Sequence, residues 1–181
     1  ALVDTALKNN IAVHGHALVF GEANAAWMQQ TPTNNLKNVM EDHIATIVGH
    51  YKTKVTEWDV INEPLSDDDA DYTNGHLGLR QHIWYKAMGE QYIADALTAA
   101  QNADPAAKLF INEYGLEQDG ERWDAMVSLL LRLKAKNVPI NGVGFQAHVY
   151  EEGDRIDTNV LRLHMQQLAS MGLVARISEI D

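Results

Sequence analysis

Cysteine is absent from the 181 residues, which excludes a disulfide framework, a thiol nucleophile and a thiolate metal site. No uninterrupted apolar run approaches the roughly 18 to 20 residues that span a bilayer. The opening residues Ala1, Leu2, Val3 and Asp4 lack the basic-then-apolar layout of a signal peptide, so membrane and targeting roles are unsupported. Basic residues are scarce: 14 Lys and Arg against 25 Asp and Glu leave a net charge of −11. An acidic surface repels a phosphate backbone, so nucleic acid is a poor partner, whereas a neutral polymer such as a polysaccharide is indifferent to that charge. Low-complexity tracts are missing as well, and 46% apolar residues with four Trp and six Tyr point to a folded globular domain rather than disorder.

What the chain does have is alternation. Five short segments, 11–20, 55–63, 108–114, 142–150 and 174–180, have strand character. Between them Leu36, Met40, Ile44, Ile47 and Tyr51 recur at three- and four-residue steps, and Ile83, Ala87, Ile93, Ala96 and Leu97 do so with one slip. Trp123, Val127, Leu130 and Leu133 form a third stripe, and Val160, Leu161, His164, Leu168 and Met171 a fourth. Each stripe predicts a helix packed on a sheet. Asp104 before Pro105 ends the second helix, and Asn137 with Pro139 the third. Strand then helix, repeated before a final strand, implies parallel strands joined by right-handed crossovers, hence an α/β fold. A closed eightfold barrel takes about 250 residues and seldom fewer than about 200. The strands therefore form either an open sheet or a piece of a barrel. Residues 1–10, which read as the second half of a helix, and an ending flush with the last strand favour the piece.

Polar residues gather at the carboxyl ends of the strands, where parallel α/β folds place their sites. The second strand ends Asp59, Val60, Ile61, Asn62, Glu63, Pro64; the third ends Asn112, Glu113, Tyr114; the fourth carries Gln146 and His148; the fifth carries Ser178, Glu179 and Asp181. Strand alternation puts Gln146 with His148, and Glu179 with Asp181, on one face; it puts Trp58 opposite Asp59 and Glu63, facing the helices as core. Two glutamates from different strands facing one cleft are what retaining glycoside hydrolysis needs, an acid for the leaving oxygen and a carboxylate for the anomeric carbon, about 5 to 5.5 Å apart. Blander readings compete. A lone strand-end Glu is usually a solvated rim residue, and Trp27 is equally a sugar platform or a loop anchor. The run Asp67, Asp68, Asp69, Asp71 lacks the alternating ligands and central Gly of a calcium loop and reads as a solvated loop. His14, His16, His148 and Asp181 are similar to the ligand set of a barrel metallohydrolase, but the third strand offers no bridging Lys or further His.

The strings Gly15-His16-Ala17-Leu18-Val19-Phe20, Trp58-Asp59-Val60-Ile61-Asn62-Glu63-Pro64, Ile111-Asn112-Glu113-Tyr114, Gly142-Val143-Gly144-Phe145-Gln146-Ala147-His148 and Ile177-Ser178-Glu179-Ile180-Asp181 resemble glycoside hydrolase family 10, the endo-1,4-β-xylanases. The resemblance implies a (β/α)8 TIM barrel of which strands three to seven are present, with 1–181 a single partial catalytic domain. It implies Glu63 as acid/base, Glu179 as nucleophile, Asn62 as the contact to the sugar 2-hydroxyl, and His148 as a hydrogen-bond partner of the nucleophile with Asp181 behind it. His16 and Gln146 match sugar or nucleophile contacts, and Tyr114 completes the substrate-binding or supporting set. The substrate it implies is xylan or xylo-oligosaccharides, with no cofactor, no metal, and secretion from the cell. Phe20-Gly21 stands where the family has Trp-His, and Gly115 where it has Asn. The first two strands and the eighth, with their sugar contacts, are outside this sequence. A related β-1,4-glucanase or mannanase, and an inert glycan-binding relative, are the alternatives.

Overall fold

The computed structural model describes residues 2–148 and 156–181. After the short helix α1 (Leu2–Lys8), five strands, β1 (His14–Phe20), β2 (Glu57–Asn62), β3 (Lys108–Glu113), β4 (Gly142–Phe145) and β5 (Val174–Ile177), form one sheet in the order β1-β2-β3-β4-β5. Every neighbouring pair is parallel. Each strand lies beside its predecessor in sequence, so all right-handed crossovers step the same way and their helices fall on one face; a doubly wound sheet would reverse its order somewhere. This is an unclosed segment of a (β/α)8 barrel.

The crossovers are α2 (Leu36–His50), then α3 (Ala70–Thr73), α4 (Ile83–Met88) and α5 (Gln91–Ala103), then α6 (Glu121–Ala135), and α7 (Thr158–Ser170). The stripe with one slip is two helices rather than one. Gly89, at φ 60°, takes the left-handed position that closes α4, its N–H bonding the Tyr85 carbonyl at 2.7 Å. The expected strand over 142–150 ends at Phe145, and its end at Tyr150 lies outside the described residues. Helix α6 carries Glu121 and Asp124 in its first turn and Arg132 and Lys134 in its last, matching the helix dipole. Asp157 caps α7 by accepting the Asn159 and Val160 N–H groups.

The core lies between sheet and helices. Val60, Ile61, Leu109, Ile111, Val143 and Phe145 are fully buried on the outer face of the sheet. Against them pack Met40, Ile44 and Val48 of α2, Ile93, Ala96, Leu97 and Ala100 of α5, and Met126, Leu130 and Leu133 of α6. Trp58 is core as its parity predicted, 5% exposed. The inner face is polar: His14 Nε2 lies 2.8 Å from Asp59 Oδ2, and Arg176 pairs with Glu57 and stacks 4.7 Å over the Phe110 ring.

Two register shifts alter the expected parity. Asp59 pairs with Phe110 but Ile61 with Ile111, and His16 pairs with Asp59 but Val19 with Ile61. An extra residue on one strand turns every later side chain to the other face. Asn62 therefore joins the inner face level with Asn112, and the simple alternation that put Asp59 and Glu63 on one face does not run through the bulge.

Gly15 pairs with Trp58 across β1 and β2, and a Cβ built on it would come within 2.0 Å of the indole. Gly15→Ala should therefore destabilise the fold by roughly 1–3 kcal/mol through overpacking; an unchanged urea midpoint would contradict that packing.

Candidate active site

Strand β2 ends at Asn62, and Glu63 leaves it in the left-handed region at φ 51°, its N–H bonded to the Asn112 carbonyl at 2.9 Å. A non-glycine residue there costs of order 1 kcal/mol and persists only where its surroundings fix it. The side chain is held by two neutral amides. Asn62 Nδ2 donates to Glu63 Oε1 at 3.2 Å, and Gln146 Nε2 donates to the same oxygen at 3.1 Å.

Glu179 follows β5. Its Oε1 accepts Asn112 Nδ2 at 2.7 Å, and its Oε2 lies 3.3 Å from His148 Nε2. His148 Nδ1 faces Asp181 Oδ1 at 3.0 Å. With a carboxylate at each ring nitrogen, the bond to Asp181 and the charge of Glu179 hold the His148 pKa above the ordinary imidazole value. Asn112 ties the two glutamates together: Nδ2 also donates to Asn62 Oδ1 at 3.0 Å, while Oδ1 accepts Ser178 Oγ at 2.7 Å. This carboxamide lies over Gly144, where a Cβ would stand 2.2 Å from Asn112 Oδ1.

His16, the next group along, is oriented from below. Its Nδ1 donates to Asp59 Oδ2 at 3.0 Å and stands 4.0 Å from Glu179 Oε1. The Asp59 bond raises the His16 pKa against the opposing effect of burial. Burial pushes Asp59 up in turn, but bonds from His14 and His16 outweigh it and leave that carboxyl below its usual value. His14 spends both nitrogens here, Nε2 on Asp59 and Nδ1 on the Arg176 guanidinium. An imidazole bonded at both nitrogens, one of them to a guanidinium, has no lone pair left for a metal, which weighs against His14 in the metallohydrolase set. Among the described residues no group of three His, Cys, Asp or Glu is placed to hold a metal ion.

Tyr114 stands apart from this cluster. Its hydroxyl bonds Asp67 and accepts Arg80 Nη2 at 2.8 Å, and Arg122 stacks 4.1 Å over its ring. Burial first, then the bond to Asp67, pushes the phenol up to about 12. The aspartate run is thus partly absorbed into structure: Asp67 by Tyr114, Arg80 and Arg122, and Asp71 by Ser66 and His76. At the centre of this second network lies Glu113, fully buried, accepting Leu65 N–H at 2.9 Å, Tyr114 N–H at 3.1 Å and Arg122 Nη2 at 3.2 Å. Burial raises its pKa to about 7 against the pull of those donors. Since Leu65 is two residues beyond Glu63, this buried group braces the segment that carries the first carboxylate. Trp27 is 57% exposed in the loop after β1, on the rim of a cleft of about 550 Å³ that also includes His16, Phe20 and Trp84.

Of the sequence-derived set, Glu63, Asn62, Gln146, Glu179, His148, Asp181 and His16 converge, and Tyr114 does not. Asn112, Ser178 and Asp59 had no assigned role, although all three stand inside the quoted strings; for Asn112 the missing signal was its register with Asn62, which the bulge in β2 sets.

The Asp59–His16 pair has a defined pH window. Lowered Asp59 contributes stability above its ordinary value of 3.8, lost as pH falls through its depressed pKa; raised His16 contributes below 6.5, lost as pH rises through its elevated one. Asp59→Asn should return the His16 titration, read by imidazole NMR, toward 6.5. Its loss of urea midpoint should be greatest between those two pH values and shrink on either side. An unmoved His16 would break the assignment.

Comparison with known proteins places this geometry. The model of glycosyl hydrolase family 10 matches residues 1–181. The chain is 36% identical over 181 residues to endo-1,4-beta-xylanase B of Thermotoga neapolitana, covering 99% of this chain and 49% of that protein. It superimposes with a TM-score of 0.88, at 35% identity, on native xylanase 10B from Thermotoga maritima, covering 99% of this chain and 53% of the other. The same TM-score and identity hold for xylanase 10B from Thermotoga petrophila RKU-1 in complex with xylobiose, at 99% and 52% coverage. The chain thus spans about half the length of the relatives it matches. A match along all of residues 1–181, on a barrel segment whose strand ends bring both glutamates into one amide network, means that this chain belongs to glycosyl hydrolase family 10.

Proposed function

We propose that the whole protein is an endo-acting retaining glycoside hydrolase that cleaves β-1,4-xylosidic bonds in xylan and xylo-oligosaccharides, with 1–181 contributing a single part of its catalytic barrel. The observation that carries the reading is the contrast between the two carboxylates. Both described bonds to Glu63 come from neutral amides and fall on Oε1, which leaves Oε2 to carry and donate a proton. Glu179 instead receives a short bond from Asn112 and the imidazole of His148. A hydrogen bond to or from a charged group contributes about 1.5–3 kcal/mol against about 0.5–1.5 for a neutral one. Of the two, only Glu179 meets an ionisable donor among the described bonds, which supports it as the nucleophile and Glu63 as the acid/base.

In the first step Glu179 attacks the anomeric carbon while the bond to the leaving oxygen breaks and Glu63 delivers its proton to that oxygen. In the second, water attacks the anomeric carbon, Glu63 takes the water proton, and Glu179 departs with its electron pair. Asn62, on the inner face beside Glu63, is the group for the sugar 2-hydroxyl; His16 and Gln146 flank the same sugar. Two carboxylates and water complete this chemistry without a cofactor. Polymeric xylan is too large to enter a cell, which supports action after secretion, and the net charge of −11 does not oppose binding of a neutral sugar backbone.

The division of labour is tested in the whole protein. Glu63→Ala should slow xylan cleavage far more than glycosyl-enzyme formation from an activated aryl xyloside, whereas Glu179→Ala should abolish both. Azide should rescue each, giving the β-glycosyl azide from the Glu63 variant and the α-azide from the Glu179 variant. An α-azide from Glu63→Ala would reverse the assignment, and undiminished activity in either variant would remove that residue from the mechanism. Turnover of β-1,4-glucan or mannan in preference to xylan would redirect the substrate while leaving the carboxylates in place.

A further inference from the structure

Glu117 lies four residues beyond the end of β3, only 5% exposed. Its Oε1 accepts the N–H of Ala147 at 2.7 Å. Ala147 is fully buried and left-handed at φ 61°, a conformation that costs an L-residue about 1–2 kcal/mol and persists only where its surroundings fix it. The residues on either side of it reach different carboxylates: Gln146 Nε2 bonds Glu63 Oε1 at 3.1 Å, and His148 Nε2 meets Glu179 Oε2 at 3.3 Å. Two peptide units separate these side chains, and Glu117 holds the first of them through the Ala147 N–H.

The loop that carries Glu117 is itself anchored to the helix layer. His164 of α7 donates from Nδ1 to the Leu116 carbonyl at 2.8 Å, and its Nε2 lies 2.9 Å from Asp119 Oδ1. The imidazole stacks on Trp123 at 3.8 Å and 8°, and Trp123 in turn stacks 6.0 Å from Phe145, the residue before Gln146. Both ends of the tether therefore rest on the same packed aromatic column. A carboxylate is costly to bury, and a charge-assisted bond to a backbone N–H is the compensation that geometry provides.

We propose that Glu117 is a positioning residue whose bond to the Ala147 amide fixes the reach of Gln146 to Glu63 and of His148 to Glu179, so that one buried side chain sets the alignment of both carboxylates. This rests on the roles proposed above for Glu63 and Glu179. Glu117 touches neither carboxylate and acts only through the Gln146–Ala147–His148 backbone.

The test compares Glu117→Gln, which keeps a carbonyl oxygen for the Ala147 N–H, with Glu117→Met, which fills the same volume without an acceptor. Two readouts are taken in the whole protein: the His148 titration by imidazole NMR, and kcat and KM on an aryl β-xyloside. The Gln variant should match the unmodified protein in both. The Met variant should show the raised His148 titration falling toward 6.5. Its kcat should drop about tenfold or more with KM little changed, since ångström-scale misplacement of a catalytic group costs up to about 100-fold. If the Met variant does not fold, Glu117→Asp, which draws the acceptor back by one methylene, is read in the same way. A folded Met or Asp variant that loses only thermal stability, with His148 and kcat unmoved, overturns the proposal. If the unmodified protein turns over no glycoside, the assigned reaction fails, while the His148 titration still shows whether Glu117 holds the segment.

Discussion

The carboxamide of Asn112 sits where three strands converge, and the rest of the site is arranged around its four hydrogen-bonding positions. It donates to Glu179 and to Asn62, and it accepts from Ser178. Through Asn62 it reaches Glu63, so the two glutamates, 116 positions apart in sequence, are linked by a short run of amide bonds. This orientation is the one the chemistry requires. Were the amide flipped, its oxygen would face two acceptors and its nitrogen a hydroxyl, and the network would lose most of its bonds. The absence of a side chain at Gly144 leaves room for it, and Ser178 keeps it from turning.

Away from that amide the buried carboxylates, whether on the inner face of the sheet or at the strand ends, follow a consistent logic. Each buried carboxylate is met by donors suited to its task. Asp59 meets two histidines and stays ionised; Glu113 meets a guanidinium and two backbone amides; Glu117 meets one backbone amide. Removing a partner from such a group leaves an unpaired charge, which costs far more than the bond itself contributes. The acidic composition seen in the sequence is thus only partly a matter of solubility, because several of these acids are internal fasteners that hold loop segments to strand ends.

How much of this the sequence revealed varied with the physics involved. Strand and helix alternation was readable because burial imposes a period of two or of three to four, and the stripes of Leu36 to Tyr51 and Trp123 to Leu133 became α2 and α6. Length and strand count left either an open sheet or a piece of a barrel, and the family resemblance supplied the barrel. The single slip at residues 88–90 hid a helix break, since Gly89 carries no apolar signal. Strand-end glutamates stood out by type and position, and the pair Glu179 and Asp181 met His148 as their shared parity suggested. The role of Asn112 was hidden because the bulge after Asp59 changes which residues of β2 and β3 are level, and no periodicity encodes a bulge. Tyr114 was grouped with the site through the family resemblance, yet its ring leaves the strand end toward Arg80 and Arg122.

The bulge also bears on how such a chain can change length over evolutionary time. Loops beyond the strand ends can gain or lose residues with little effect on the sheet, because loop-closure entropy grows only slowly with length. Within the stretch from Asp59 to Asn62 the arithmetic is different. Deleting the extra residue would keep Ile61 and Asn62 level with Ile111 and Asn112 but widen the mismatch with β1, where three steps from His16 to Val19 already face two from Asp59 to Ile61; adding one would move Asn62 off Asn112. Substitution in that stretch perturbs one contact, but a change in its count shifts the pairing with a neighbouring strand. Lineages descended from this fold should therefore differ freely in the loops that shape the cleft and keep the spacing from Asp59 to Glu63 constant.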